Sequence, residues 1–101
     1  MFKICTQEQA FLPRELKERF QKVQDMGFDG YEIDGALLLN NLDEVKEAIK
    51  ETGLPVVSAC GGYRGWIGDF IEERRLNGIE DIQKILEALQ EIGGKGIVVP
   101  A

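Results

Sequence analysis

Apolar residues recur along this chain with two alternating spacings. Short runs with strand character lie at Phe2–Thr6, Gly30–Asp34, Pro55–Cys60 and Gly96–Pro100. Between them, three stretches place apolar residues every three or four positions, the spacing of a helix with one buried face. The first, Pro13 to Met26, sets Leu16, Phe20 and Val23 on one face and Lys17, Glu18 and Lys22 outside. Pro13 suits a first helical turn, and Gly27 suits the left-handed residue that ends a helix. The second, Leu42 to Thr52, carries Leu42, Val45 and Ile49; Asn41 with Glu44 reads as an N-cap and its capping-box partner, and Gly53 as the stop. The third, Ile79 to Ile92, carries Ile82, Ile85, Leu86 and Leu89 and stops at Gly93-Gly94, with Asp69, Glu72, Glu73, Arg74 and Arg75 before it as a short solvated turn.

The order β-α-β-α-β-α-β implies α/β architecture with parallel strands joined by right-handed crossovers. A doubly wound sheet is covered by helices on both faces, so its strands read as continuous apolar runs. Here they alternate in part. Phe2, Ile4, Tyr31, Ile33, Val57, Ala59, Ile97 and Val99 form an apolar face. The other face holds Lys3, Cys5, Gly30, Glu32, Asp34, Val56, Ser58, Cys60, Val98 and Pro100, mostly small or polar. One face toward helices and one mixed face toward a barrel interior is the pattern of a (β/α) barrel, which we favour over a complete small doubly wound domain. An eight-unit barrel takes about 250 residues, whereas this chain has 101. The expectation for residues 1–101 is therefore a single, incomplete domain: a partial (β/α)8 TIM barrel, (βα)3β, with four parallel strands and helices on one face. Bare sheet edges make self-association the expected consequence.

The net charge of −6 argues against a nucleic-acid partner. No apolar stretch approaches the roughly 20 residues that span a bilayer, and the start has no signal-peptide h-region. Cytoplasm is the default. Cys5 and Cys60, placed two strands apart at roughly 9–10 Å, are too distant for a disulfide. The chain lacks histidine, which excludes Ser-His and Cys-His nucleophile pairs and histidine-containing zinc sites within it.

The candidate chemistry sits where strand C-terminal ends meet. The run Cys60-Gly61-Gly62-Tyr63-Arg64-Gly65-Trp66 leaves a strand without stepping into a helix, and long loops of this kind are usually functional. At the same mouth lie Cys5, Thr6 and Gln7, then Glu32 and Asp34, and finally Pro100. Glu32 points away from Tyr31 and Ile33 and needs a cation, a donor or a bound hydroxyl; an ion pair with Lys3 is the alternative. Asp34, beside Gly35, reads as exposed or capping. Arg64 and Trp66 offer a guanidinium and a flat ring to an anionic or hydroxylated ligand, unless Trp66 packs down and Arg64 turns to solvent.

Three segments carry a resemblance: Gly27-Phe28-Asp29-Gly30-Tyr31-Glu32-Ile33, Ser58-Ala59-Cys60-Gly61-Gly62, and Ile85-Leu86 through Gly93-Gly94-Lys95-Gly96-Ile97-Val98-Val99-Pro100. Together they resemble the amino-terminal part of the sugar phosphate isomerase/epimerase family, xylose isomerase-like TIM barrels related to the family 2 apurinic endonucleases. The resemblance implies metal-dependent proton transfer beside a carbonyl through an enediolate. It places the manganese, magnesium or zinc ligands and the proton-moving carboxylates on later strands, so this chain supplies no catalytic residue, no metal ligand and no cofactor site of its own and should be inactive alone. What it carries over is a substrate-side wall for a sugar or sugar phosphate, made of Glu32, Cys60, Gly61, Gly62, Tyr63, Arg64 and Trp66. Two other readings stay open: a self-associating half-barrel scaffold, or a small-ligand binding module without catalysis.

Overall fold

The computed structural model describes residues 3–100. Four parallel strands, β1 (Cys5–Gln7), β2 (Gly30–Asp34), β3 (Val56–Cys60) and β4 (Gly96–Val98), form one sheet in the order β1-β2-β3-β4. Helices α1 (Leu16–Asp25), α2 (Gly35–Asn40), α3 (Leu42–Thr52) and α4 (Glu72–Ile92) fill the connections. With every crossover advancing one strand in the same direction and hand, the helices collect on one flank. The core lies there. Tyr31, Ile33, Val56 and Ala59 from the strands and Phe20, Val23, Val45 and Ile85 from the helices are each at most 1% exposed. The partial-barrel expectation is met: an open arc of four parallel strands, covered on one side.

The caps explain the helix boundaries. Helix α1 begins at Leu16, not Pro13, because the Glu15 carboxylate accepts from the N–H groups of Lys17 and Glu18. It ends as expected at Gly27, whose φ of +91° needs no Cβ; Gly27 N–H bonds to Gln24 O and Phe28 N–H to Val23 O. The Asn41–Glu44 capping box does not form. Asn41 joins α2 to α3, and its Nδ2 donates to Leu37 O at 3.0 Å, closing the end of α2 instead. Helix α2 itself was unmarked in the pattern; Asp34 starts it by accepting from Leu37 N–H at 3.0 Å.

Two strand readings need correction. Tyr31 pairs with Val56 while Glu32 pairs with Ser58, so Val57 is an extra residue in a bulge. Val56 therefore faces the core and Val57 the open face, the reverse of strict alternation. Strand β1 starts at Cys5, later than read, and Ile4, expected in the apolar face, is 62% exposed; Phe2 lies outside the described residues. Helix α4 is also longer than expected. Glu72 to Arg75 form its first turn, and Gly78 interrupts nothing because the preceding loop packs on it: a Cβ there would stand 3.0 Å from Arg64 O. Leu86, assigned to the buried stripe, is 42% exposed, whereas Ile85 and Leu89 are buried.

The Phe20 ring meets Tyr31 edge to face at 5.3 Å, at the center of the α1–sheet contact. Phe20→Ala is expected to cost about 3–5 kcal/mol of unfolding free energy, read as a lower urea midpoint at unchanged slope. Leu86→Ala should stay within about 0.5 kcal/mol.

Candidate functional site

Strand register brings the polar ends of three strands together. Gln7 lies opposite Glu32, Glu32 opposite Ser58, and Asp34 opposite Cys60. Beyond them opens a cleft of about 140 Å³ lined by Gln7, Glu8, Glu32, Ile33, Asp34 and Cys60. A larger groove of about 370 Å³ on α1, bounded by Pro13, Lys17, Glu18, Gln21, Lys22 and Asp25, is a solvated helix face away from any strand end. The small cleft is where parallel α/β proteins place ligands.

Each carboxylate in the cleft is oriented by a named donor. Glu32 accepts from Ser58 Oγ at 2.9 Å; no ion pair with Lys3 occurs among the described residues. Asp34 caps α2. Glu8 Oε1 accepts from the Tyr31 hydroxyl and from Arg19 Nη1, the latter at 2.7 Å. Arg19 is in turn fixed by donating from Nε to Pro13 O at 2.6 Å. Burial, with the hydrogen bond and charge of Glu8, pushes the Tyr31 phenol well above its ordinary value, so it remains a donor.

The glycine loop packs closely against α2 and β4. Gly61 and Gly62 have φ of +63° and +83°, and a Cβ on Gly62 would stand 2.2 Å from Ala36 N. That close approach seats the loop on the start of α2, while Gly61 N–H bonds to Val98 O at 3.1 Å. Tyr63 is half-buried, its hydroxyl 3.4 Å from Pro100 O. Arg64 does not present a free guanidinium. It donates to Asp81 from Nε and Nη2, each at 2.9 Å, and its backbone N–H adds a bond of 2.8 Å. The Trp66 indole lies against Gly68, where a Cβ would come within 2.8 Å, and stays 44% exposed.

Of the residues expected to form a substrate wall, Glu32 and Cys60 line the cleft and Gly61 and Gly62 continue from its edge. Tyr63, Arg64 and Trp66 are not among its lining residues; the last two follow the loop toward α4. Cys5 is not at the mouth either. It pairs with Gly30 at the opposite end of the sheet, which puts it roughly 16 Å from Cys60; both thiols are free. The sequence pattern does not mark Glu8, which directly follows β1 in a polar segment with no apolar alternation; an acidic residue right after Cys5-Thr6-Gln7 is the available signal. Among the described residues, no three of His, Cys, Asp or Glu converge as a metal donor set, and no helix is long and apolar enough to cross a membrane.

Arg64 holds the Asp81 carboxyl below its ordinary range. Because the folded value is depressed, the clamp is fully present above about pH 4, the unfolded carboxylate value, and is lost as pH falls through the folded one. Asp81→Asn should therefore speed amide exchange at Arg64 near neutrality, and acidification should reproduce that loss in the unsubstituted chain. Equal exchange in both proteins at neutral pH would contradict the clamp.

Comparison with known proteins agrees with this geometry. A family model described as xylose isomerase-like TIM barrel matches residues 20–101. The chain is similar to 3-dehydro-D-guloside 4-epimerase of Escherichia coli K12, with 71% identity over 99 residues, 98% of this chain and 38% of the relative. It superposes on the crystal structure of apo 3-keto-D-glucoside 4-epimerase from E. coli with a TM-score of 0.96 and 69% identity, covering 100% of this chain and 38% of that one. The chain thus spans well under half the length of the relatives it matches.

Proposed function

The chain belongs to the xylose isomerase-like TIM barrel family, and on that footing we propose that it forms the first four strands of a barrel that epimerizes carbon 4 of a 3-keto-glycoside. The observation that carries this reading is the 71% identity to the E. coli 4-epimerase across nearly the whole chain, together with a cleft lined by the carboxylates of Glu8, Glu32 and Asp34, which can accept hydrogen bonds from hydroxyl groups. With carbon 3 a carbonyl, a guloside and a glucoside differ only at carbon 4. The hydrogen on carbon 4 is acidic because the carbonyl takes up the electron pair when the proton leaves, giving an enediolate. Returning a proton to the opposite face inverts that center, with no net gain or loss of atoms or electrons.

This chain's share is to bind and orient. Glu32, held by Ser58, and the Gly61–Gly62 backbone flank the sugar; the closely packed loop excludes water from one side. Metal dependence, which the resemblance implies for the whole barrel, does not fit the residues described here, so any such ion would be held by later strands. The chain alone is expected to be inactive. The acidic charge favors a neutral sugar or its keto derivative over a nucleic acid, and two unpaired thiols favor a cytoplasmic setting.

A chimera tests the reading: the aligned 99-residue segment of this chain replaces the matching segment of the E. coli epimerase. It should epimerize 3-keto-glucosides at a rate within about tenfold of the parent, a margin of about 1.4 kcal/mol in barrier. A folded chimera without activity would count against the reading. The isolated chain should turn over nothing. Half-barrel self-association is favored by one observation, the bare sheet face where Val98 is 48% exposed and Cys5 is exposed. Light scattering should show a dimer or larger species of the isolated chain; a monomer at high concentration would contradict it.

A further inference from the structure

Three carboxylates line the cleft, and they differ in what remains free on each. Asp34 spends Oδ2 on the Leu37 N–H as the cap of α2. Glu32 has the Ser58 hydroxyl on Oε1. Glu8 is held most firmly: its Oε1 takes both the Tyr31 hydroxyl and the Arg19 guanidinium, while Oε2 has only a long 3.4 Å approach from Asp34 N–H. An ionized carboxylate has about four acceptor positions, so Oε2 keeps unused acceptor capacity on a side chain that lines the cleft.

We propose that Glu8 is a specificity-determining residue that accepts a hydrogen bond from one ring hydroxyl of the sugar through Oε2, and that Tyr31 is the residue that positions it. The proposal deepens the epimerase reading and rests on it. Three features make Glu8 suited to this task. Its supports come from rigid elements, since Tyr31 is 0% exposed and the Arg19 side chain 13% exposed. A carboxylate already fixed in place loses little freedom when it binds a ligand. Arg19 offsets its charge, so it coexists with Glu32 and Asp34 in one small cleft. The side chain nevertheless keeps 33% of its surface open, and it lines the cavity. A purely structural brace needs neither the open oxygen nor the cavity.

Glu8→Gln separates the two roles. Tyr31 and Arg19 are both donors, so the amide oxygen stays with them and the NH2 group turns to the cleft. An acceptor for the ligand becomes a donor; the Tyr31 and Arg19 contacts survive, and only the long 3.4 Å approach of Asp34 N–H is lost. In the chimera described above, Glu8→Gln should raise KM for the 3-keto-glucoside by roughly ten- to a hundredfold, the range for a hydrogen bond to a charged group. The melting temperature should stay near that of the parent, and kcat should change less than KM.

The decisive readout is inhibition by methyl glucoside and its mono-deoxy derivatives. One derivative, lacking the hydroxyl that Glu8 reads, should bind parent and Glu8→Gln proteins equally, whereas the others should bind the variant more weakly. Tyr31→Phe, which removes only the positioning donor, should show the same pattern at smaller size and serves if Glu8→Gln fails to fold. An unchanged KM, or an equal loss with every derivative, would overturn the role of Glu8. An inactive chimera carrying the native Glu8 would instead overturn the epimerase reading itself.

Discussion

The arrangement of helices on a single flank of a parallel sheet governs everything else in this molecule. Strands that add in the order β1-β2-β3-β4 by crossovers of one hand have no way to place a helix on the other side. The apolar core therefore forms between Tyr31, Ile33, Val56 and Ala59 of the sheet and the inner faces of α1, α2, α3 and α4. The opposite face is left with Cys5, Gln7, Glu32, Val57, Ser58, Cys60 and Val98, none of them fully buried. Such a face is poorly matched to water and poorly matched to a helix. It suits the interior of a closed cylinder, where small and polar side chains from neighboring strands share a layer.

The same constraint locates the site. Parallel strands end together, so groups at successive C-termini become neighbors whatever their distance in sequence. Glu8, Glu32, Asp34 and Cys60 meet because Gln7–Glu32 and Asp34–Cys60 are registered across the sheet. The β3–α4 connection is then fixed from two directions. Gly61 and Gly62 let its backbone touch that of Gly35 and Ala36, and Arg64 ties it to Asp81 on α4. In this loop the glycines serve close approach of backbone to backbone.

Much of this was legible in the residues. The four strands, three of the helices, the stops at Gly27, Gly53 and Gly93, and the inward direction of Glu32 all follow from spacing and from glycine chemistry. What escaped has physical causes. The bulge at Val57 comes from pairing, which a single strand's alternation does not report. Strand β1 is too polar to show a boundary, so Glu8 was hidden beyond it. The helical pattern begins only at Ile79 because the contact that seats Gly78 inside α4, with Arg64 O, is made by the preceding loop. The partner of Arg64 is hidden for the same reason: Asp81 lies a loop and a half helix away. The contacts that decide these positions are tertiary, and local pattern does not contain them.

The most direct test of the one-sided sheet is the accessibility of its bare face before and after the barrel is completed. Cys5 is exposed on that face in this chain, with Gly30 and Val57 beside it. Alkylation of Cys5 should be fast in the isolated chain at low concentration and strongly slowed in the full-length chimera, where later strands close over it. Equal rates in the two proteins would show that the face stays open, and the barrel account would be wrong.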